Sequence, residues 1–351
     1  MLRRFLSLSA PTNKMRAVVC PRAPIAPAEL VYTTDHPEPK PKEGHVLIRV
    51  KAYGLNRSEL FTRQGHSPGI QFPRVLGIEC VGVVKDAGGG AKWKEGDVVA
   101  ACMGGMGRQF DGGYAEYALI PHTSVSAPIK LPEQMGWAEF AAIPETYLTA
   151  WGTLSESLKL QSTDTLLIRG GTTSVGLACA ALAKSSLFAP DIKPTVLATT
   201  RSEAKKHALK AAGVDVVLLD ENDSVREQVK AATAGRGATK VVELVGGTTL
   251  ADSCQSAADD GVISMIGCVS GEWTIKDFDP MTALSPWKHL TVCSSHYLDV
   301  SKAPLQWIVD AITYGELKPS VDKVFKMEET AKAHEYMEAN KAAGKVVCLV
   351  D

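Results

Sequence analysis

The sequence lacks the features that mark membrane and nucleic-acid-binding proteins. No apolar run reaches the ~18–20 residues that a membrane-spanning helix needs, because Gly, Arg or Lys interrupts the longest candidates. The net charge is only −1 over 351 residues, so no basic surface for nucleic acid or anionic lipid is indicated. Aromatic residues are scarce at 6%, whereas the 30 glycines suit closely packed α/β layers. We expect a soluble protein of two domains that acts on a small molecule.

Clustered cysteines are also missing. None of the 8 cysteines forms a C-x-x-C pair with another. A disulfide framework or a zinc ribbon would need tighter spacing. We therefore expect the thiols to be reduced and mostly buried.

Residues 1–14 differ in composition from the rest of the chain. Arg3, Arg4 and Lys14 make the segment basic, and no acidic residue precedes Glu29. This composition is typical of a short mitochondrial presequence, and it equally fits a basic tail ahead of a fold that starts near Met15. The two interpretations predict the mitochondrial matrix and the cytoplasm respectively, and both stay open.

The remaining chain contains two regions that differ in their predicted secondary structure. From residue 15, short strand-like runs alternate with turns rich in Pro and Gly, which is typical of an antiparallel β domain. From Asp164, strand-like runs alternate with Ala-rich helical stretches, which predicts a parallel sheet with helices on both faces. The last run, Gly344 to Val350, is expected to rejoin the β domain without a parallel partner of its own. We predict an N-terminal extension at 1–14, a discontinuous β domain at 15–147 and 297–351, and an inserted nucleotide-binding domain at 148–296.

A glycine-rich turn, Arg169-Gly-Gly-Thr-Thr-Ser-Val-Gly176, joins the first strand of this α/β region to its first helix. Glycines let the backbone approach a ligand closely, and the free N–H groups at the helix start bind a pyrophosphate. The spacing departs from G-x-G-x-x-G, so a turn without a ligand is the alternative. The position of the turn at the head of the α/β region favours dinucleotide binding.

The end of the second strand predicts which dinucleotide binds. An NAD site places an acidic residue there, about 20 residues past the glycines, to bind the ribose hydroxyls. This strand ends Thr199-Thr-Arg-Ser202, with no acidic residue before Glu203 and with Lys205 shortly after. Arg and Lys suit the 2′-phosphate of NADPH, although a solvated basic helix start would look similar. We therefore expect NADPH.

Six segments carry further motifs in a fixed order. They are Ala52 to Leu60, Phe72 to Val84, Asp111 to Tyr117, Ile143 to Trp151, Gly171 to Lys184, and Gly344 to Val347. Together they resemble the medium-chain dehydrogenase/reductase superfamily and, within it, the zinc-free quinone oxidoreductase and enoyl reductase branch. The resemblance spans Met15 to Asp351. It implies an α/β protein in which a GroES-like twisted β-barrel catalytic domain carries an inserted Rossmann domain with a doubly wound parallel sheet, and it implies a homodimer.

The same resemblance identifies the positions at which zinc ligands would be expected. Zinc-containing relatives carry Cys at the position of Asn56, His at that of Ile78, and a second Cys near Glu145. Amide and hydrocarbon side chains cannot replace thiolate and imidazole on a tetrahedral zinc ion. The loop that holds a structural zinc in those relatives has only Cys102 here. No metal is expected.

The resemblance also implies the site residues. The catalytic candidates are Tyr53, Asn56, Glu59, which stands for the Asp of the family, and His66, which follows Gly65 where enoyl reductases place a proton-donating Tyr. An exposed loop histidine is the alternative for His66. The cofactor-binding candidates are Thr149, Gly171, Thr172, Thr173, Ser174, Val175, Gly176, Thr200, Arg201, Ser202, Lys205, Val245, Gly246, Gly267, Cys268, Val269 and Lys345.

The chemistry that remains without a metal is reduction rather than alcohol oxidation. Oxidation of an unactivated alcohol needs a metal or a positioned base. Reduction of an electron-poor acceptor needs mainly orientation of the acceptor and hydrogen-bond donors to its oxygen. The leading hypothesis is a zinc-independent, NADPH-dependent reductase of quinones or α,β-unsaturated carbonyls. One alternative is a mitochondrial trans-enoyl thioester reductase, which the N-terminus favours and the missing Tyr opposes. Another is a catalytically idle NADPH-binding protein.

Overall fold

The structure, a computed structural model, describes residues 13–188, 190–221, 225–284, 286–318 and 321–351. The strands are β1 (Lys14–Cys20), β2 (Val31–Pro37), β3 (His45–Gly54), β4 (Arg74–Val75), β5 (Glu79–Asp86), β6 (Val98–Cys102), β7 (Tyr117–Pro121), β8 (Thr165–Arg169), β9 (Thr195–Thr200), β10 (Val216–Leu219), β11 (Ala238–Glu243), β12 (Ala257–Met265), β13 (His289–Val292), β14 (Val321–Lys326) and β15 (Lys345–Leu349).

The α-helices are α1 (Arg57–Arg63), α2 (Trp137–Ala141), α3 (Pro144–Gly152), α4 (Ser174–Ala183), α5 (Lys206–Ala211), α6 (Val225–Ala232), α7 (Leu250–Ser256), α8 (Pro280–Ala283), α9 (Leu305–Thr313) and α10 (Thr330–Glu338). Short 3₁₀ turns lie at Pro27–Glu29, His122–Ser124, Glu203–Lys205, Ser295–Tyr297 and Met327–Glu329, and a π-helical turn at Thr153–Ser157 follows α3. Within the described ranges, no helix is long and apolar enough to cross a membrane. Residues 1–12, which are most of the predicted N-terminal extension, lie outside those ranges.

The N-terminal strands form the expected β-rich part of the fold. One sheet has the order β2-β1-β4, and another has the order β14-β15-β3-β5-β6 with β7 paired to β3. Alternation along β3 puts Val46, Ile48 and Val50 into one buried cluster, as half-buried strands require. The last strand rejoins the β domain, as predicted, and it does so by pairing with β3 in antiparallel register. The prediction that it has no parallel partner was wrong, because β14 lies parallel to it on the other side.

The inserted region is a parallel sheet with the order β10-β9-β8-β11-β12-β13. The chain enters the sheet at β8, builds outward through β9 and β10, and then returns to the other side of β8 with β11. The strand order therefore reverses between β8 and β11, and ligands of such sheets bind in the crevice at the carboxyl ends of the strands there. The sheet lies between residues 165 and 292, inside the span predicted for the nucleotide-binding domain. The exact domain boundaries stay predictions.

One apolar cluster joins the barrel to the parallel sheet. It contains Ala52 and Val347 from the barrel strands, Leu148 from α3, and Ile168 and Val242 from the parallel sheet. All five side chains are 0% exposed. This shared core brings the end of β3 next to the carboxyl ends of β8 and β11.

A buried ion cluster fixes the start of the glycine-rich turn. The Arg169 guanidinium binds Asp220 through two hydrogen bonds of 2.8 and 2.9 Å, and it donates a third, of 2.5 Å, to Asp252. Its side chain is 1% exposed. Asp220 follows β10 and Asp252 lies in α7, so this one side chain ties the ends of two strands to a helix.

A second buried group, His334 in α10, holds the helix on the barrel. Arg63 Nε donates to its Nδ1 at 3.4 Å, and its Nε2 lies 3.3 Å from the Tyr114 hydroxyl. Burial, together with the nearby Arg63 charge, lowers the pKa of His334 to about 3. The histidine is therefore neutral in the folded protein across the usual pH range.

We predict that His334 makes folding sensitive to acid. Below pH 6.5 the unfolded chain binds a proton on this histidine that the folded chain does not bind, so stability falls as the pH decreases. The free energy of unfolding of the wild type should fall, relative to His334→Gln, by about 1.4 kcal/mol per pH unit between roughly pH 6 and 4. Urea unfolding at a series of pH values measures this slope. His207→Gln, at an exposed position, should keep the wild-type slope, and equal slopes for the wild type and His334→Gln would contradict the prediction.

Candidate active site

A cleft of about 770 Å³ lies at the switch point of the parallel sheet, where the barrel meets it. Its walls come from the turn after β8, the ends of β9, β11 and β12, the start of α1, and the residues around β15. Pockets of this size and position are typical of small-molecule and cofactor sites.

The glycine-rich turn forms one wall of the cleft. Gly170, with φ +81°, and residues 172–175 face the cleft. Gly171 and Gly176, both predicted to bind the cofactor, lie behind this wall. A Cβ at Gly176 would lie 2.7 Å from the Gly171 carbonyl oxygen, and one at Gly171 would lie 2.8 Å from the Ala198 Cβ. These two glycines therefore serve the close packing of α4 on the sheet.

Thr173 explains why the motif departs from the usual glycine spacing. Its hydroxyl accepts a hydrogen bond from the Gly176 amide and donates one to the Gly170 carbonyl, both at 3.0 Å. Thr173 is thus the N-cap of α4, a role that Ser, Thr, Asp and Asn fill best. The first residues of this helix line the cleft, and the free amides of a helix start suit an anion.

The end of β9 forms the outer part of the cleft and is positively charged. Thr200, Arg201, Ser202 and Lys205 all line it. Among the described residues, no carboxylate lies within ion-pair distance of Arg201 or Lys205. The neighbouring Glu203 pairs with Lys206. Lys205 Nζ donates only to the Ala342 carbonyl, at 3.5 Å.

The opposite wall comes from the strands on the other side of the switch point. Val245, Gly267, Cys268 and Val269 line the cleft as predicted for a cofactor wall. Gly246 does not line it. With φ +103° and a Cβ position 2.7 Å from the Cys268 sulfur, it lets the two chain segments approach each other.

The floor of the cleft contains a buried ammonium group, that of Lys345. Its Nζ lies 2.6 Å from Glu79 Oε1 and donates to Asn56 Oδ1 (2.6 Å) and Thr146 Oγ1 (3.1 Å), and Glu145 Oε2 lies 3.9 Å away. The side chain of Lys345 is 2% exposed and that of Glu79 is 0% exposed. We call these five residues the lysine cage.

Other contacts close the lysine cage. Asn56 Nδ2 and the Glu145 amide donate to the two oxygens of Glu79, at 2.8 and 2.9 Å. Thr149 donates to Glu145 Oε1 at 2.9 Å. Burial by itself lowers the pKa of Lys345, but the carboxylates of Glu79 and Glu145 outweigh it and the net shift is upward. Burial raises the pKa of Glu145, and the Lys345 charge opposes this. The cage thus keeps Lys345 charged although its side chain is buried.

The lysine cage lies among the positions at which zinc-containing relatives have their ligands. Asn56 offers an amide already bound to Glu79 and Lys345, Ile78 offers no donor, and Glu145 is bound by Thr149. These donors do not fit the tetrahedral thiolate and imidazole set of zinc. The neighbouring ammonium would also repel a dication. No group of three or more His, Cys, Asp or Glu in the described part of the chain is arranged to hold a metal ion. That zinc is absent from the working protein stays a prediction.

The structure moves two predicted catalytic residues out of the cleft. Tyr53 is fully buried, stacks on Tyr114 with ring centroids 4.5 Å apart, and its hydroxyl forms a hydrogen bond of 2.6 Å with the Thr330 hydroxyl. Its placement in the cleft was therefore wrong, because residue 53 of β3 points into the barrel core. His66 lies exposed on the loop after α1 and contacts Phe61, with ring centroids 6.3 Å apart. The alternative interpretation, an exposed loop histidine, fits this position.

Glu59 lies beneath the cleft and positions two of its residues. Its carboxylate accepts from the backbone amides of Asn56 (3.0 Å) and Ile78 (2.9 Å). Burial raises the pKa of Glu59 to about 7. The longer arm of Glu, compared with the Asp of the family, does not prevent this double contact. Glu59 is thus a positioning residue rather than one that touches a substrate.

Several cleft residues escaped the sequence analysis. Ser58, Phe61, Arg108 and Trp273 also line the cleft, and Glu79 completes the lysine cage. Glu79 stood inside the quoted segment Phe72 to Val84, so the motif could have suggested it. Arg108 and Trp273 lie in irregular loops, where no periodicity marks a residue as facing a site.

Comparisons with known proteins agree with this architecture. The family described as alcohol dehydrogenase GroES-like domain matches residues 42–133, and the one described as zinc-binding dehydrogenase matches residues 212–348. Quinone oxidoreductase of Lama guanicoe is 28% identical over 331 residues, covering 92% of this chain and 94% of that protein. A crystal structure of an NAD-dependent alcohol dehydrogenase has a TM-score of 0.82 at 30% identity, covering 96% of this chain and 100% of the other. A mycobacterial protein complexed with NADPH has a TM-score of 0.81 at 28% identity, with coverage of 96% and 100%.

A GroES-like barrel joined to a Rossmann sheet, with a cleft at the switch point, is the architecture of pyridine-nucleotide-dependent oxidoreductases. The chain belongs to the medium-chain dehydrogenase/reductase superfamily.

We predict that removing the Lys345 charge destabilises the protein. Lys345→Met leaves the buried Glu79 and Glu145 carboxylates without their cation, and breaking a buried pair in this way costs about 3–5 kcal/mol. Urea unfolding at pH 7 measures the loss. Lys332→Met, which removes an exposed lysine paired with Glu329, should cost less than about 1 kcal/mol. Unchanged stability of Lys345→Met would contradict the lysine cage.

Proposed function

We propose that the protein is a zinc-independent, NADPH-dependent reductase of quinones or α,β-unsaturated carbonyls. The observation that carries the cofactor choice is the end of β9, where Arg201 and Lys205 face the cleft without an acidic partner among the described residues. The observation that carries the metal-independent chemistry is the lysine cage, which surrounds an ammonium group where zinc-containing relatives bind their ion.

The chain offers groups for each part of the dinucleotide. Gly170 and residues 172–175 would hold the pyrophosphate, since their amides stand at the start of α4. Arg201, Ser202 and Lys205 would hold the 2′-phosphate. Thr149 would approach the nicotinamide end. The only other acidic residue of the cleft beside Glu145, Asp220, has both oxygens bound by Arg169, so the described cleft offers no free carboxylate for the ribose hydroxyls of NAD.

The side chains at the acceptor end are donors rather than bases. When bound, NADPH supplies a hydride, and with one proton from solvent the acceptor becomes a saturated ketone or a hydroquinone while NADP⁺ is released. Charge then develops on the acceptor oxygen, and pre-positioned donors lower the barrier by stabilising it. Ser58 and Arg108 present such donors in the cleft, and the Lys345 charge lies in the floor.

The relatives support an oxidoreductase but differ in cofactor. One similar structure holds NADPH, whereas another is an NAD-dependent alcohol dehydrogenase. The proposal for this chain therefore depends on its own β9 end. The word zinc in the name of one matching family does not bear on the ligand positions, which are Asn56, Ile78 and Glu145 here.

The homodimer implied by the resemblance also remains a proposal. β13 is the edge strand of the parallel sheet, and the exposed Val292 (71%) and Tyr297 (86%) lie at this edge. An exposed apolar edge strand is a ready pairing surface for a second copy.

We predict that Arg201→Ala with Lys205→Ala weakens NADPH binding and spares NADH. Loss of two charge-assisted contacts to a phosphate should raise the Kd for NADPH at least about tenfold, whereas the Kd for NADH should change less than about twofold. Fluorescence titration of the bound nucleotide measures both constants. Lys206→Ala, next to the pair but bound to Glu203, is the matched control and should leave both unchanged. Equal losses for the two nucleotides would count against a 2′-phosphate site.

The reaction itself is tested by NADPH consumption with a panel of quinones, enones and enoyl thioesters. We expect faster consumption with quinones and enones than with enoyl thioesters. A clear preference for enoyl thioesters would favour the mitochondrial reductase instead. NADPH binding without consumption by any acceptor would contradict the proposed function and favour the idle protein.

A further inference from the structure

Arg108 is held rigidly at the acceptor end of the cleft. The loop that carries it is clamped to the segment before β5, since Met103 donates to the Ile78 carbonyl at 2.7 Å and Gly113 to the Gly77 carbonyl at 3.0 Å. Met106 in this loop is 0% exposed. The Arg108 side chain then reaches Ser58 in α1, donating to its Oγ at 2.5 Å.

The charge of Arg108 has no counterion in the part of the chain that the structure describes. Among the residues that the structure describes, no carboxylate lies within 4.0 Å of its guanidinium, and its buried Nε has no hydrogen-bond partner. A guanidinium carries five N–H donors in a planar fork, so most of the hydrogen-bonding capacity of Arg108 is unused. A buried unpaired donor costs free energy that an anionic ligand would recover.

The other charged side chains that line the cleft do not neutralise Arg108, so its charge is available to a ligand. Five lining side chains are cationic and two are acidic. Both acids are engaged, Asp220 by Arg169, and Glu145 by Thr149 and Lys345. Arg201 and Lys205 stand at the β9 end, and Arg57 donates to Asn340. Arg108 lies near the aromatic part of the cleft, because Ser58, to which it donates, stands three residues before Phe61 on the same side of α1.

That aromatic part fits a small flat acceptor. The rings of Phe61 in α1 and Trp273 after β12 meet edge to face, with centroids 5.9 Å apart, and both line the cleft. A cleft of about 770 Å³ that also takes a dinucleotide leaves space for a small molecule only.

We propose that Arg108 binds a carboxylate of the acceptor, so that the substrate class is a small α,β-unsaturated carbonyl compound that carries a carboxylate. The inference rests on the proposed function and narrows it to one class of acceptor. The planar fork of Arg matches the two oxygens of a carboxylate, and Ser58 fixes the orientation of the fork.

A pair of acceptors tests this. trans-4-Oxopent-2-enoate and its methyl ester share one conjugated ketone and differ by one negative charge. The wild type should reduce the acid with a kcat/KM at least about tenfold above that of the ester. Calorimetric titration of the saturated analogue 4-oxopentanoate, with NADP⁺ and without it, gives a readout that does not depend on turnover, and the acid should bind more tightly than its methyl ester.

Arg108→Gln should lower kcat/KM for the acid more than for the ester, so that the ratio of acid to ester falls to about one, while the Kd for NADPH stays within about threefold. Arg108→Lys keeps the charge without the fork and should retain part of the preference, and it serves if the Gln variant does not fold. Arg201→Gln, the matched control in the same cleft, should weaken NADPH binding and leave the ratio of acid to ester unchanged.

The failures of the two proposals can be told apart. Reduction of the ester and of menadione without a preference for the acid would overturn the inference and leave the proposed function intact. A loss of NADPH affinity in Arg108→Gln equal to that in Arg201→Gln would also overturn it, because Arg108 would then hold the cofactor. No consumption of NADPH with any acceptor would contradict the proposed function, and failure of 4-oxopentanoate to bind the wild type more tightly than its ester would independently overturn the inference.

Discussion

The ammonium group of Lys345 and the carboxylate of Glu79, 2.6 Å apart and both on buried side chains, form the contact on which the cleft depends. The two residues come from β15 and the start of β5, and Asn56, Glu145 and Thr146 come from the start of α1 and of α3. A charge in such a place must be paired, since an unpaired one costs several kcal/mol. The pairing thus holds together four segments that the chain order keeps far apart. Gly54 makes it possible, because a Cβ there would lie 2.5 Å from both partners.

The same contact explains the chemistry that the cleft can support. A fixed positive charge is present in the floor. Its N–H donors are already used by protein oxygens, so it cannot bind an acceptor oxygen directly. In the proposed function, donors at the side of the cleft, where Ser58 and Arg108 meet, would therefore polarise the acceptor. Glu59 lies beneath the cleft and accepts hydrogen bonds from the backbone amides of Asn56 and Ile78. These two bonds fix the positions of the two residues relative to each other.

The sequence predicted those parts of the structure that depend on local pattern. Apolar runs separated by Ala-rich helices predicted the parallel sheet, and the missing acid after Thr200 could be read directly. The cage could not be read in this way, since Lys345 and Asn56 are 289 residues apart and no periodicity relates them. β14 was missed because most of its side chains are at least partly exposed, so that it lacks an apolar run. Tyr53 was misplaced because strand alternation puts residues 52 and 53 on opposite faces of β3, and Tyr53 lies on the face that packs into the barrel core. Gly171 and Gly176 lie behind the wall of the cleft and allow close packing there, and their contact with a cofactor stays a prediction.

The central claim is that an ammonium group, not a metal ion, occupies the floor of the active cleft. It is tested most directly by native mass spectrometry of the purified chain, before and after incubation with equimolar zinc, alongside its rate of menadione reduction. The account predicts no zinc-bound species that survives a weak chelator and a rate unchanged by zinc or by the chelator. One tightly bound zinc per chain, with activity lost when the chelator removes it, would contradict the account.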